Sequence, residues 1–120
     1  MVIGERGLAN VDLVIPQGCS FAFEIVHTDD DGHPVDHTGS TLYMAFQDWN
    51  GRDTAMLSEC CTGTETGVDV SIPADTTAAM ETGRYFWDVI ADMGTETVRL
   101  AYGTAEVTDT YALDGGGNEG

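Results

Sequence analysis

The chain has 120 residues, of which 21 are Asp or Glu and only four are cationic, giving a formal net charge of −17 at pH 7. Lysine is absent, so every cation is an arginine, namely Arg6, Arg52, Arg84 and Arg99. Such a chain is repelled by nucleic-acid phosphates, which excludes DNA or RNA binding. The sequence has no apolar stretch of membrane-spanning length and no basic segment followed by an apolar block, so neither a membrane span nor a secretion signal is predicted.

The excess of carboxylates makes the surface repel itself at low salt. At about 1 M salt the Debye length falls to roughly 3 Å, and repulsion between surface carboxylates largely disappears. The composition therefore predicts a halophile-type surface. An acidic face that binds a positively charged partner would leave a similar composition, and this alternative stays open.

Short alternating runs separated by turn residues predict an all-β fold. Residues 1–10 are expected to form an N-terminal arm, 11–112 the folded domain, and 113–120 a flexible glycine-rich tail. The predicted extended segments, in chain order, are Val11 to Ile15, Ser20 to His27, Val35 to Thr38, Thr41 to Trp49, Thr54 to Cys61, Val68 to Ile72, Arg84 to Ala91, Thr97 to Tyr102 and Ala105 to Tyr111.

One segment has a helical composition. Residues Ala74 to Gly83 follow Pro73 and end at a glycine suited to terminate a helix, so a short crossover helix is predicted between two strands. With about seven or eight strands around it, the predicted architecture is an antiparallel Ig-like β-sandwich.

The segment from Asp29 to Pro34 is predicted to be a turn. Its carboxylates Asp29, Asp30 and Asp31 suggest a weak cation site, although the EF-hand pattern fails because Pro34 stands where the loop glycine belongs. A turn rich in Asp is the simpler interpretation. His27 and His37 flank the turn and are placed to face each other across a hairpin, with His33 between them; solvated loop histidines are the competing interpretation, and no metal ligand is assigned.

The three cysteines are Cys19, Cys60 and Cys61. They have no CxxC spacing, so a zinc site is not predicted. Small buried or half-buried thiols are expected, and a bridge from Cys19 to Cys60 or Cys61 stays open.

The segment Trp49, Asn50, Gly51 and Arg52 carries the strongest hairpin signal, because Asn-Gly suits a two-residue turn. A Trp beside an Arg has the composition of an interface anchor, and equally that of a residue that closes the end of a sandwich. Trp87 is predicted to be core. No serine lies in a nucleophile elbow, so no catalytic residue, enzyme activity or cofactor is predicted.

Five segments in order carry a family resemblance: Val14 to Gly18, Asp31 to Gly39, Val70 to Met80, Gly83 to Val89 and Gly103 to Val107. Together they resemble the small β-sandwich domains of structural proteins of tailed viruses, including tail-fibre and baseplate-associated modules. The resemblance implies a virion component that docks non-catalytically on the capsid, the head–tail joint or the tail. It implies other virion structural proteins as partners and a homo-oligomer or symmetric array. The lysine-free surface then suggests a virus of a salt-loving archaeon.

A second functional class remains open at this point. A carbohydrate- or receptor-binding module on a host-facing fibre would use Tyr43, Trp49 and Trp87 as a stacking platform. A metal-binding accessory built on the histidines is a third, weaker hypothesis.

Overall fold

A computed structural model describes residues 2–6 and 9–112, with side chains described from residue 10 onward. This part of the chain is mostly β, as the sequence predicts, and it includes the short helix α1 (Ala74–Ala79) and a 3-10 turn at Ser58–Cys60. Its strands are β1 (Val2–Arg6), β2 (Ala9–Asn10), β3 (Leu13–Pro16), β4 (Phe21–Thr28), β5 (Thr41–Asp48), β6 (Thr54–Met56), β7 (Cys61–Gly63), β8 (Gly67–Ile72), β9 (Gly83–Asp92) and β10 (Thr97–Thr108).

The strands form two sheets. The first has the order β1-β4-β8-β7, and the second has the order β2-β10-β9-β5-β6, with β3 also paired to β10. Most neighbours are antiparallel, as predicted, but β1 runs parallel to β4, and β2 and β3 both run parallel to β10. The prediction of a purely antiparallel arrangement is therefore corrected at these three pairs.

The inward-facing residues of both sheets share one hydrophobic core. In β8, Val68, Val70 and Ile72 are buried while the intervening residues are exposed, which is the period-2 pattern of a strand with one dry face. Across the core, the ring of Phe23 in β4 meets that of Trp87 in β9 edge to face, with centroids 5.6 Å apart. The predicted core position of Trp87 is confirmed, since it is 2% exposed.

Four predicted strands differ from the structure. The segment from Thr54 to Cys61 does not return as one strand: β6 ends at Met56, and after the 3-10 turn the chain enters the other sheet as β7. The last two predicted strands are one strand, β10, with an irregularity between Arg99 and Ala101 that keeps Leu100 buried. The predicted extended piece at residues 35–38 lies in no strand.

The segment predicted as an arm, residues 1–10, contributes β1 to the first sheet and β2 to the second. In the first sheet, the backbone of β1 pairs with five residues of β4, from Glu24 to Thr28. The predicted tail, residues 113–120, lies outside the described residues.

The helix α1 is fastened to the turn between β3 and β4. The buried hydroxyl of Thr77 lies 2.8 Å from the carbonyl of Cys19 and accepts the N–H of Gly18 at 2.9 Å. Gln17 donates its side-chain amide to the carbonyl of Met80 at 2.7 Å. These bonds fix a helix too short to be stable alone.

Candidate protein-interaction surfaces

The turn between β5 and β6 is built by local hydrogen bonds. Gly51 donates to the carbonyl of Asp48, and the Asp48 carboxylate accepts the N–H of Arg52, both at 2.9 Å. Gly51 adopts φ 71°, a left-handed conformation that favours glycine. The predicted hairpin is confirmed, but its turn has four residues between Asp48 and Asp53 rather than two. Trp49, at the end of β5, is half exposed.

Trp49 forms a stack with two residues of β9. Its ring lies parallel to that of Phe86, at a centroid distance of 5.4 Å and an interplanar angle of 8°. The guanidinium of Arg84 lies 5.3 Å from the Trp49 ring centroid. The arginine beside Trp49 is therefore Arg84, rather than its sequence neighbour Arg52.

The stack continues into an aromatic face on the outer side of the second sheet. We define the aromatic face by four exposed side chains, the half-buried ring of Tyr102 and the two arginines stacked on aromatic rings: Tyr43, Trp49, Met56, Phe86, Tyr102, Arg84 and Arg99. Strand register makes it continuous, because Tyr43 lies opposite Ile90, Met56 opposite Ala45, and Phe86 opposite Gln47. A shallow depression of about 340 Å³ lies at its centre, lined by Ala45, Gln47, Phe86 and Arg99 among others.

Each arginine of the aromatic face lies beside or opposite a carboxylate. The guanidinium of Arg99 lies 3.4 Å from the Asp88 carboxylate and 4.5 Å from the ring centroid of Tyr102. Arg84 lies opposite Glu106 in the register of β9 and β10. The outer side of the first sheet differs: β4 and β8 place Glu24 directly opposite Asp69, both exposed, and neither strand contains Lys or Arg.

The Glu24–Asp69 pair leads to a prediction about salt. Like charges directly opposite each other on neighbouring strands destabilise a sheet, by about 0.2–1 kcal/mol. Asp69→Asn is therefore expected to raise the melting temperature at low salt, and the gain should vanish at about 1 M salt, where screening removes the repulsion. Ser71→Asn, on the same side of β8, is the control. Thermal melts across a salt series measure both; a gain that persists at molar salt would contradict the electrostatic cause.

A cleft lies beside the aromatic face, between α1 and the β5–β6 turn. Its volume is about 720 Å³. The most buried residues lining it are apolar or aromatic, namely Leu57, Met80 and Tyr85. Four carboxylates and one cation also line it: Asp48, Asp53, Asp75, Glu81 and Arg84. We call this the acidic cleft.

The phenol of Tyr85 lines the acidic cleft. Burial, together with the nearby carboxylates of Glu81 and Asp48, raises the pKa of the Tyr85 phenol. The phenol therefore stays protonated, and it donates to the carbonyl of Glu81 at 2.6 Å.

Half-buried His27 and buried His37 form a hydrogen-bonded pair. Nδ1 of His27 lies 2.8 Å from Nε2 of His37, so one imidazole donates and the other accepts. The second nitrogen of His37 lies 2.9 Å from the Ser40 hydroxyl, and His37 itself is fully buried. The predicted meeting of the two residues across a hairpin is confirmed, whereas His33 is exposed and lies beside Asp29.

The histidine pair predicts acid sensitivity. Burial lowers the pKa of both imidazoles, and His27 lowers that of His37 further; Glu96 and Asp29 oppose the effect at His27, as does Asp36 at His37. Because the folded pKa values lie below 6.5, the unfolded chain takes up protons first as the pH falls. Stability is thus fully present above about pH 6.5 and declines as the pH falls below it.

The measurement is the melting temperature between pH 7.5 and pH 5, above the range in which ordinary carboxylates titrate. We expect it to fall for the wild type and to fall less for His27→Gln. His33→Gln, which changes an exposed histidine of the same loop, should follow the wild type. A wild-type melting temperature that does not change over this range would contradict the prediction.

The predicted acidic turn brings together different residues from those expected. Ligand atoms of Asp29, Asp31 and His33 lie within 4.8 Å of one another, and Asp30 is not in this group. The Asp29 carboxylate accepts the backbone N–H of Asp31 and of His33, both at 2.9 Å. These bonds explain the turn and the lowered pKa of Asp29. Cation binding here stays a prediction.

All three cysteines are free thiols. The bridges that the sequence left open, from Cys19 to Cys60 or Cys61, are not formed. Burial raises the pKa of Cys61 to about 12, and it also raises that of Cys60. Both thiols therefore stay protonated and weakly nucleophilic.

Sequence reasoning identified Trp49 but not its companions Phe86 and Arg84. A signal was present: alternation along β9 places Phe86 on the face opposite to Trp87. Pairing of β5 with β9 was needed to bring Phe86 to Trp49.

Among the described residues, no helix has the length and apolarity that crossing a membrane requires. No protein-family model matches the chain, and no curated protein matches it significantly.

Proposed function

We propose that this chain is a non-enzymatic structural protein of a tailed virus, which docks on other structural proteins of the virion through the aromatic face. The observation that carries the proposal is this surface, where exposed apolar rings and arginines interrupt a strongly anionic exterior. Its place on the capsid, head–tail joint or tail is left open, and its partners include neither nucleic acid nor membrane.

The composition of the aromatic face suits burial against another protein. Interface centres are enriched in aromatic residues, Met and Arg and depleted in carboxylates. Trp49, Met56 and Phe86 are each about half exposed, so each has apolar area left to bury. The occupant that fits is an apolar, weakly charged surface of a neighbouring structural protein. In a homo-oligomer or symmetric array, weak contacts of this kind add through effective concentration.

Two finer features belong to the same proposal. We propose an Ig-like β-sandwich, supported by two sheets around one core and by a helix that crosses between them. We also propose a virus of a salt-loving host, supported by the Glu24–Asp69 repulsion and the absence of lysine.

The test combines mass spectrometry of purified virus particles with oxidative footprinting. The chain should be present in the particles, and Met56 and Trp49 should be oxidised in the free protein but protected in the particle. Tyr111, which is 85% exposed and is not one of the residues that define the aromatic face, is the internal reference for exposure. Absence from particles would refute the virion role; presence with full oxidation of Met56 and Trp49 would refute docking through this face.

The carbohydrate-binding alternative loses one of its three proposed rings, because Trp87 is in the core. Tyr43 and Trp49 remain exposed. Titration of Trp fluorescence with host surface glycans separates the two functions. A saturable response that Trp49→Ala abolishes would replace docking by sugar recognition.

A further inference from the structure

We propose that the acidic cleft binds a basic segment of a partner protein, with an Arg or Lys side chain inserted between the β5–β6 turn and α1. The cleft is a second site, and its assignment holds whether or not the chain belongs to a virion. Four carboxylates against one guanidinium give it a negative balance, and apolar side chains lie beneath them. Long basic side chains match this arrangement, because their aliphatic stems pack on apolar surface while their charged ends reach carboxylates.

The cleft already contains an interaction of this kind. Arg84 places its guanidinium over the Trp49 ring, and both residues line the cleft. A ring face attracts a cation through its quadrupole, most strongly for Trp. In the free protein Arg84 occupies this contact, next to the carboxylates of Asp48 and Asp53 that also line the cleft, so a partner's Arg or Lys makes it by displacing Arg84.

The walls of the acidic cleft are fixed before any partner arrives. Trp49 donates its backbone N–H to the carbonyl of Arg84 at 3.1 Å, which joins the turn to β9. The opposite wall, α1, is held by the Thr77 and Gln17 bonds to the β3–β4 turn. A preformed site loses little conformational entropy on binding, which favours affinity for a flexible basic segment.

The occupant is a different protein rather than a second copy. This chain has no lysine and only four arginines, two of which already stack on its own aromatic rings. A partner that binds a cleft with this charge therefore needs more Arg and Lys than this chain has. Salt weakens such binding without abolishing it, because the packing of an aliphatic stem on the apolar floor does not depend on charge.

The experiment is calorimetric titration of the full chain with a blocked penta-arginine peptide, using penta-citrulline as the uncharged peptide of equal length. We expect saturable one-to-one binding of penta-arginine and none of penta-citrulline. Asp53→Asn combined with Asp75→Asn should weaken binding about tenfold, in line with up to fivefold for each exposed ion pair. Arg84→Gln should tighten binding, because it frees the Trp49 ring and removes the one cation that the described residues place in the cleft.

Two control variants carry the same charge changes elsewhere. Glu24→Gln combined with Asp69→Asn removes two carboxylates from the first sheet, and Arg99→Gln removes a cation outside the cleft. Both should bind the peptide as the wild type does. If the control pair weakens binding as much as the cleft pair, the peptide recognises net charge alone and the proposal fails. It also fails if Arg84→Gln weakens binding, or if the cleft pair binds unchanged.

Discussion

Trp87→Ala is expected to lower the free energy of unfolding by about 3–5 kcal/mol, the usual cost of deleting a large buried aromatic side chain. Trp87 lies at the centre of the shared core, in ring contact with Phe23 from the first sheet and with Phe46 from the second. Its indole N–H also donates to the carbonyl of Val11 at 3.0 Å. The substitution therefore leaves a cavity between the sheets and an unpaired carbonyl.

Chemical denaturation measures this effect, and a second substitution separates its two parts. Trp87→Phe keeps most of the ring volume and loses the hydrogen bond, so it should cost about 1–3 kcal/mol. Trp49→Ala is the control for an exposed Trp and should cost far less. If Trp87→Ala cost no more than Trp49→Ala, Trp87 would not be the centre of the core.

Gly103→Ala is expected to destabilise the chain by at least about 1–3 kcal/mol, the range for an added group in a filled site. A Cβ at Gly103 would stand 1.9 Å from the carbonyl oxygen of Val11, and the residue has φ +158°. Backbone rather than a flexible side chain blocks the position, because Val11 is held by its own N–H bond to Tyr102 at 2.9 Å. Relief would require the segment before β3 to move away from β10.

Gly39→Ala is the matched control, since a Cβ there meets nothing within 4 Å. It should change stability by less than about 0.5 kcal/mol. Combining Gly103→Ala with Trp87→Phe should cost less than the sum of the two, because both disturb the same Val11 carbonyl. Additive costs in denaturation would show that the two residues do not act through Val11.

Much of the β structure was predictable from local patterns. Alternation located the inward faces of β4, β5, β8 and β9, and Pro73 marked the start of α1. The predicted helix stop at Gly83 is wrong, because α1 ends at Ala79 and Gly83 begins β9. The close approach of His27 and His37 was also predictable, because both flank one turn and a hairpin brings its two sides together.

Long-range pairing was not predictable from the same patterns. The parallel placement of β1, β2 and β3 depends on partners up to 92 residues away, and alternation carries no information about a partner's identity. The two interaction surfaces were hidden for the same reason: Arg84 and Phe86 reach Trp49 through the pairing of β5 with β9, and the acidic cleft needs α1 beside the β5–β6 turn.

The parallel pairing of β2 and β3 with β10 has a consequence for the order of folding during synthesis. During synthesis β2 and β3 leave the ribosome long before their pairing partner β10, which is the last strand of the second sheet in chain order. They can pair with it only after it has been synthesised. The first sheet, whose strands all precede residue 73, has its full complement earlier. A nascent chain that stalls before Thr97 would thus contain every strand of the first sheet but lack β10 of the second. The edge of β9 that normally pairs with β10 would then be free to pair with another chain.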